Sequence, residues 1–380
     1  MVTGIDLETA SLGEKRTSVV PNSVGAFTNL VTLDLGDNSW KGVSSNIQKL
    51  TKLETLDLKD NSIHMSGDSL FGPLQELKAL KKLNLPNNDL HGSLPNFGSK
   101  LTKLEVLDLS RNNLEGVLPD DTFQHLTHMQ ELKLESNKGL EGAIPSGMAE
   151  MSHARIIRFQ NTGLGGQLFN LSRMSYLTEL LASSSRLSGT VPQSIASATR
   201  LETLDLAHAD GAGTLPAGMV NLRYLKKLHL QANKFSGTLP EGIFSKSYYL
   251  AEVDLSHNKL EGSLESFFNT IHKQSMATFT KLNAEENSFE GAIPPSVGNL
   301  TRIQELKLGK NRLSGIPSSI GKLSMCHTLD LHDNRMSGQF PNIAGMDRLK
   351  RLDIHDNSLE GSLGDLSSLC MLTHIHAGKP

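Results

Sequence analysis

The sequence predicts an α/β solenoid, in which short parallel strands form a concave sheet and 3₁₀ or α turns return the chain on the convex side. Two apolar residues separated by one residue recur fifteen times, at intervals of 23–29 residues. In most copies an Asn lies three residues after the second apolar residue, and a Gly-x-apolar-Pro segment often follows. A repeat that fills the chain favours one continuous right-handed coil, shaped like a horseshoe, whose core is built from contacts between neighbouring repeats.

The apolar pairs are predicted to form the strands, because alternation of apolar and polar residues buries one face of a strand. Eleven copies carry the Asn, and four carry another residue in its place. The eleven are Asn38, Asn61, Asn88, Asn112, Asn137, Asn233, Asn258, Asn287, Asn311, Asn334 and Asn357. The four substitutes are Ala10, Thr162, Ser185 and Ala209.

The Asn residues are predicted to form a ladder along the coil, since their amides can bond backbone groups that a turn leaves without partners. At Thr162 and Ser185 a hydroxyl or a trapped water is expected to substitute. The Gly after the ladder position supplies an unusual turn, and the Pro ends any second-strand pairing and begins a short outer helix.

The repeat spacing Leu-x-x-Leu-x-Leu-x-x-Asn-x-Leu-x-Gly-x-Ile-Pro resembles that of plant-type leucine-rich-repeat proteins. These include receptor-like kinases, receptor-like proteins and polygalacturonase inhibitors, and similar repeats occur in algae and other protists. The resemblance covers essentially residues 1–360. It implies a concave face that recognises peptides, cell-wall fragments or partner proteins. The motif is highly specific for the fold and only weakly specific for function.

The chain is predicted to be a single domain over residues 1–380, with about fifteen repeats and a partial sixteenth. It begins on a strand without a signal peptide, and it lacks the cysteine-containing caps of the resembled family. Because solenoids need capping repeats for solubility, we expect a fragment of a longer protein. Cys326 replaces a core Leu and lies too far from Cys370 for a disulfide, so both are expected to be free thiols.

The composition argues against nucleic-acid binding, because the net charge is −3 and aromatic residues make up 5% of the chain. No apolar run approaches the roughly 18 residues that span a bilayer. The sequence holds no motif for metal hydrolysis, nucleotide binding or a nucleophilic triad. We therefore expect no enzyme activity and no cofactor.

One column of residues, between the two apolar anchors of each strand, is predicted to face solvent on the concave side. It is mostly Asp or Asn, and it becomes basic or apolar in the central repeats. Apolar residues rimmed by polar ones are typical of contact sites. The predicted ligand-binding residues are Lys133, Ile156, Arg158, Gln160, Leu181, Ser183, His208, His229 and Gln231. Drift in degenerate repeats is the alternative, since three ladder Asn residues are missing from this same region.

A second group of polar residues falls on adjacent strands near the C-terminal end. It comprises His327, Asp330, His332, Asp333, Asp353, His355, Asp356, His374 and His376. Such residues are suited to a divalent metal or to titration near neutral pH. Polar ladders on a solvated strand face are commoner, so the prediction is no metal. Asn170 and Asn299 begin glycosylation sequons at the same phase of the repeat, on the predicted outer side.

The predicted function is therefore a non-catalytic recognition module, as in a cell-surface receptor ectodomain, with a protein, peptide or glycan ligand. The corresponding location is extracellular or at the cell surface. An intracellular scaffold or assembly subunit in the cytoplasm is the alternative, favoured by the missing signal peptide and caps. A secreted inhibitor of a cell-wall hydrolase is a further alternative with the same fold.

Overall fold

The computed structural model describes residues 3–8 and 19–378, and within them the predicted solenoid is confirmed. The chain forms two compact units, Met1–Ser188 and Gly189–Pro380. In each unit, every repeat forms one coil, and its first strand joins a parallel sheet that we call the main sheet. Ala10, the first substitute in the Asn ladder, lies outside the described residues. The expected single domain stays a prediction.

In the residues that the structure describes, the main sheet has eight three-residue strands in each unit. In the first unit they are Gly4–Asp6, Thr32–Asp34, Thr55–Asp57, Lys82–Asn84, Val106–Asp108, Glu131–Lys133, Ile156–Arg158 and Glu179–Leu181. In the second unit they are Thr203–Asp205, Lys227–His229, Glu252–Asp254, Lys281–Asn283, Glu305–Lys307, Thr328–Asp330, Arg351–Asp353 and His374–His376.

The central residue of each strand carries the core, as the alternation predicts. Leu107, Leu132 and Ile157 align in register and are at most 1% exposed. The residues on either side of the central one are mostly half-buried and face away from the core. The face that they form on the main sheet is called here the open face.

The predicted Asn ladder is confirmed, and Asn112 illustrates its geometry. Its amide Nδ2 donates to the carbonyl of Leu85 in the preceding coil at 2.9 Å and to two carbonyls of its own coil. The predicted hydroxyl substitutes are also confirmed, since Thr162 and Ser185 each donate to a carbonyl of their own coil. A hydroxyl has one proton to donate and an amide has two, so Thr162 and Ser185 donate to fewer backbone carbonyls than a ladder asparagine does.

The residue just before the ladder position adopts a left-handed conformation that the sequence analysis did not predict. Among the described residues, fourteen at this position have φ between 49° and 60°, and none of them is glycine. They are Asp37, Asp60, Asn87, Arg111, Ser136, Asn161, Ser184, His208, Ala232, His257, Glu286, Lys310, Asp333 and Asp356. We call them the left-handed column.

A second set of parallel strands follows the ladder, and the sequence analysis missed it as a sheet. In the first unit these strands are Val19–Val20, Gly42–Val43, His91–Gly92, Asn113–Val117, Gly139–Ala143, Gly163–Gly166 and Arg186–Gly189, whose last residue begins the second unit. In the second unit they are Asp210–Gly213, Lys234–Thr238, Lys259–Ser263, Ser288–Ala292, Arg312–Gly315, Ser337–Gln339 and Ser358–Glu360.

Short helices follow these strands, and several begin directly after the predicted prolines, such as Pro145 and Pro216. The 3₁₀ helices are Asn22–Ala26, Ser45–Lys49, Ser146–Glu150, Gln193–Ser197, Ala217–Asn221, Ser275–Ala277, Pro295–Asn299 and Ser318–Lys322. The α-helices are Gly67–Leu74 and Glu265–Thr270.

Both cysteines are free, as predicted. Cys326 is fully buried in the core of the second unit, and burial raises the pKa of its thiol to about 12. Cys370 is exposed. The two thiols therefore differ in reactivity, because the thiolate is the reactive form and Cys326 is held as the thiol.

Candidate functional site

The predicted contact residues of the first unit lie on adjacent coils of the open face. Lys133, Arg158 and Leu181 occupy the last position of three successive strands and align in register. Ile156 begins the middle strand, and all four side chains are half-buried. Gln160 and Ser183 follow two of these strands and are also half-buried. The structure therefore brings together the six predicted residues of this unit.

Arg158 is held by carboxylates on both sides. Its Nε donates to Glu179 of the next strand, and its Nη1 lies 4.0 Å from Oε1 of Glu135. The hydrogen bond to Glu179 and the charges of both carboxylates raise the pKa of the guanidinium against the opposing effect of burial. Arg158 is therefore a fixed, paired cation.

Lys133 is paired in the same way. Its Nζ lies 2.8 Å from Oε2 of Glu131 and 3.9 Å from Oδ2 of Asp108. With the pairs of Arg158, four carboxylates surround two cations on this part of the open face. The predicted basic character is therefore wrong, because the neighbouring columns supply an excess of acid that one column alone does not reveal.

Two buried oxygens without hydrogen-bond partners lie beside these ion pairs. They are Oε2 of Glu135 and Oε1 of Gln160, in the described part of the chain. Each of the two residues directly follows the second apolar anchor of its coil, and the two coils are adjacent. The Ser136 N–H connects these coils by donating a hydrogen bond to the Gln160 carbonyl at 3.0 Å. Burial raises the pKa of the Glu135 carboxyl. The sequence analysis missed Glu135, although its position one coil before Gln160 was a usable signal.

The second unit carries the three remaining predicted contact residues. The Nε2 atom of His229 lies 3.5 Å from Oε2 of Glu252. Oε1 of Gln231 is buried without a hydrogen-bond partner among the described residues. The Gln231 carbonyl accepts a hydrogen bond from the N–H of His208, an exposed member of the left-handed column. Gln231 thus repeats, within its own unit, the environment of Gln160.

The predicted His and Asp group also lies on the open face of the second unit. The rings of His332 and His355 are stacked with centroids 4.9 Å apart, and those of His355 and His376 with centroids 3.8 Å apart. His327 lies two residues before the central residue of its strand, and His374 lies one residue before the central residue of its own. Neither ring belongs to the stack described for His332, His355 and His376.

The two predicted glycosylation asparagines are both exposed. Asn299 ends the 3₁₀ helix Pro295–Asn299, and Oδ1 of Asn170 accepts a hydrogen bond from the Ser172 N–H at 2.8 Å. Both side chains are therefore accessible for attachment of a glycan. Among the described residues, no helix has the length and apolar character needed to cross a membrane.

Comparisons with known proteins agree with the predicted resemblance. Models of the leucine-rich repeat match residues 78–138 and 224–245. The chain is 31% identical to Receptor-like protein 35 of Arabidopsis thaliana over 229 residues, which are 60% of this chain and 23% of that protein.

Two solved structures are similar over nearly the whole chain. Each alignment covers 95% of this chain at 26% sequence identity. The PEPR1–AtPEP1 structure has a TM-score of 0.84, and this chain covers 50% of it. The Arabidopsis receptor kinase HAESA, in complex with the peptide hormone IDA and the co-receptor SERK1, has a TM-score of 0.75, and 68% of it is covered. The resemblance to plant-type leucine-rich-repeat proteins is thus confirmed, and the chain spans only part of each.

Proposed function

We propose that the chain is a non-catalytic recognition module of a larger cell-surface receptor-like protein, and that it binds a peptide or protein segment on the open face of the first unit. The observation that carries the proposal is the pairing of half-buried apolar side chains, Ile156 and Leu181, with buried acceptor oxygens that have no partner, on Glu135 and Gln160. The similarity to a receptor in complex with a peptide hormone supports it.

The chemistry of this surface suggests a ligand with an apolar side chain next to a hydrogen-bond donor. An unpaired buried acceptor costs about 1–3 kcal/mol, and a donor from the ligand recovers that cost. The excess of carboxylates around Lys133 and Arg158 favours a cationic donor, such as a lysine, an arginine or a free amino terminus. Ile156 and Leu181 supply the apolar contact.

Replacing Leu181 by aspartate is expected to weaken ligand binding at least tenfold with little change in melting temperature. The substitution removes apolar contact area and adds a fifth carboxylate to a half-buried surface. We would select peptides from a random displayed library on the wild-type protein and measure the Kd of the selected peptides for both proteins.

Val117→Asp is the matched control, because Val117 is an apolar residue of the same unit, 58% exposed, on the second set of strands. It should bind the selected peptides as the wild type does. Equal binding by Leu181→Asp would contradict the proposed site. Arg158→Glu is a poorer probe, since it breaks the pairs with Glu179 and Glu135 and is expected to lower the melting temperature.

His208, His229 and Gln231 stay predicted contacts of the second unit. Gln231 is the strongest of the three, because its buried Oε1 needs a donor as that of Gln160 does.

We further propose an extracellular or cell-surface location, with glycans on Asn170 and Asn299. Protein from its native source is expected to lose mass on glycosidase treatment. The asparagines that carried the released glycans should map to peptides that contain these two exposed residues. Asn170→Gln and Asn299→Gln serve as controls, since each should remove one glycan. An intact mass that glycosidase leaves unchanged would contradict the proposed location.

A further inference from the structure

The last coils of the second unit depart from the rest of the open face at one position. In two other coils, a serine follows the strand-ending aspartate by two residues, and its hydroxyl donates to that carboxylate at 2.6 Å, in the pairs Ser110–Asp108 and Ser256–Asp254. In the coils of Asp330 and Asp353, a histidine occupies this position. An imidazole has a second ring nitrogen, so one nitrogen can bond the aspartate while the other is available to a second partner.

The two aspartates fix the orientation of the histidine rings. Nδ1 of His332 lies 2.5 Å from Oδ1 of Asp330, and Nδ1 of His355 lies 2.5 Å from Oδ1 of Asp353. Both aspartates are buried, with 6% and 3% exposure. An ionised carboxylate only accepts hydrogen bonds, so each Nδ1 carries a proton, and in the neutral form of each ring Nε2 presents its lone pair. A carboxylate bonded to the far nitrogen is the usual outer support of a metal-binding histidine.

The free nitrogens of the two rings meet further carboxylates. Nε2 of His332 lies 3.9 Å from Oδ2 of Asp333, and Nε2 of His355 lies 3.6 Å from Oδ2 of Asp356. Asp333, His355 and Asp356 offer ligand atoms within 4.8 Å of one another. Neighbouring ligands of a tetrahedral zinc ion are about 3.3 Å apart, so small side-chain rotations are enough to close the site.

The two coils are joined in the register that such a site needs. Asp330 and Asp353 are paired in the main sheet, and the rings of His332 and His355 stack at an interplanar angle of 12°. The Asp333 N–H donates to the His355 carbonyl at 3.0 Å. Because the rings are nearly parallel, the lone pairs of the two Nε2 atoms run side by side and do not meet at one ion. Hydrogen bonds explain the Nδ1 contacts of both rings, but they do not account for the carboxylates of Asp333 and Asp356 that converge with His355.

We propose that His355, Asp333 and Asp356 bind one divalent transition-metal ion of the zinc type, with solvent completing its coordination. An imidazole ligand beside two carboxylates suits Zn²⁺ better than Ca²⁺ or Mg²⁺, which prefer all-oxygen ligands. The ion would connect two successive coils. This proposal differs from the sequence analysis, which predicted no metal. The proposal is independent of ligand binding in the first unit.

The test is calorimetric titration of the full chain with zinc chloride at neutral pH. The wild type is expected to bind one Zn²⁺ per chain with a Kd in the micromolar range or below and to melt at a higher temperature with zinc present. His355→Asn should weaken binding at least tenfold. Asp353→Asn, which changes only the outer support of His355, should weaken it by about 10–100-fold.

His257→Asn is the matched control, because Nδ1 of His257 lies 2.9 Å from Glu286 in another coil of the same unit. It should bind zinc as the wild type does. Asp333→Asn gives a second variant whose side chain is 42% exposed, so its folding is expected to be unaffected. Absence of heat in the wild type, or equal zinc affinity in the wild type, His355→Asn and Asp333→Asn, would overturn the proposal. A comparable heat with magnesium chloride would also overturn the assignment to a transition metal.

Discussion

Asn112→Ala is expected to lower the free energy of unfolding by about 3 kcal/mol, because it removes the partners of several buried backbone groups at once. The Asn112 amide donates to the carbonyls of Leu85, Leu109 and Ser110 at 2.9–3.1 Å. Its Oδ1 accepts the N–H of Leu90 at 3.0 Å. The residue is 6% exposed, so water cannot readily replace these bonds.

Urea denaturation measures the loss, and amide hydrogen exchange locates it, since the Leu90 N–H should lose protection first. Asn113→Ala is the matched control. Asn113 is the next residue, it is exposed, and its amide bonds a side chain, Asp89, rather than the backbone. Its replacement should cost less than about 0.5 kcal/mol. Similar losses for the two variants would show that the ladder does not hold the coils together.

Phe267→Ala is expected to cost about 4 kcal/mol, the second large effect. Phe267 lies on the helix Glu265–Thr270 and is fully buried. Its ring packs edge-on against Phe244 and Phe268, with centroids 5.4 and 5.1 Å away, and contacts Phe279 at 6.1 Å. Alanine leaves a cavity that these rigid rings fill poorly, which adds to the lost apolar burial.

Thermal and urea denaturation of the full chain measure this effect. Lys273→Ala, at an exposed position of the same repeat, should change the free energy of unfolding by less than about 0.5 kcal/mol. A loss below about 1 kcal/mol in Phe267→Ala would contradict a structural role for the helix Glu265–Thr270. It would instead favour an accessory role on the outer surface.

The features that the sequence predicted correctly recur at the same position of each repeat. The central apolar residues, the ladder asparagines and the burial of Cys326 follow from a spacing that recurs along the chain. Each of these features has a signal in residue type and period alone.

The features that it missed depend on how repeats lie against one another. Residues as different as Arg111, Ala232 and Asp333 share the left-handed conformation because the turn demands it, so residue type gives no warning. The charge of the open face was misjudged because Arg158 meets Glu179 and Glu135 from other columns. The convergence of Asp333, His355 and Asp356 likewise needed the register of two strands.

The left-handed column also restricts which substitutions this protein can accept during evolution. None of its fourteen residues is Val, Ile or Thr, because a branched β-carbon is strained at positive φ. The column nevertheless includes acidic, basic, amide, hydroxyl and imidazole side chains. The conformation is therefore strict for side-chain shape and permissive for charge. Polar chemistry can be changed there by substitution, at Asp333 and Asp356 as elsewhere, without a change in the backbone that carries it.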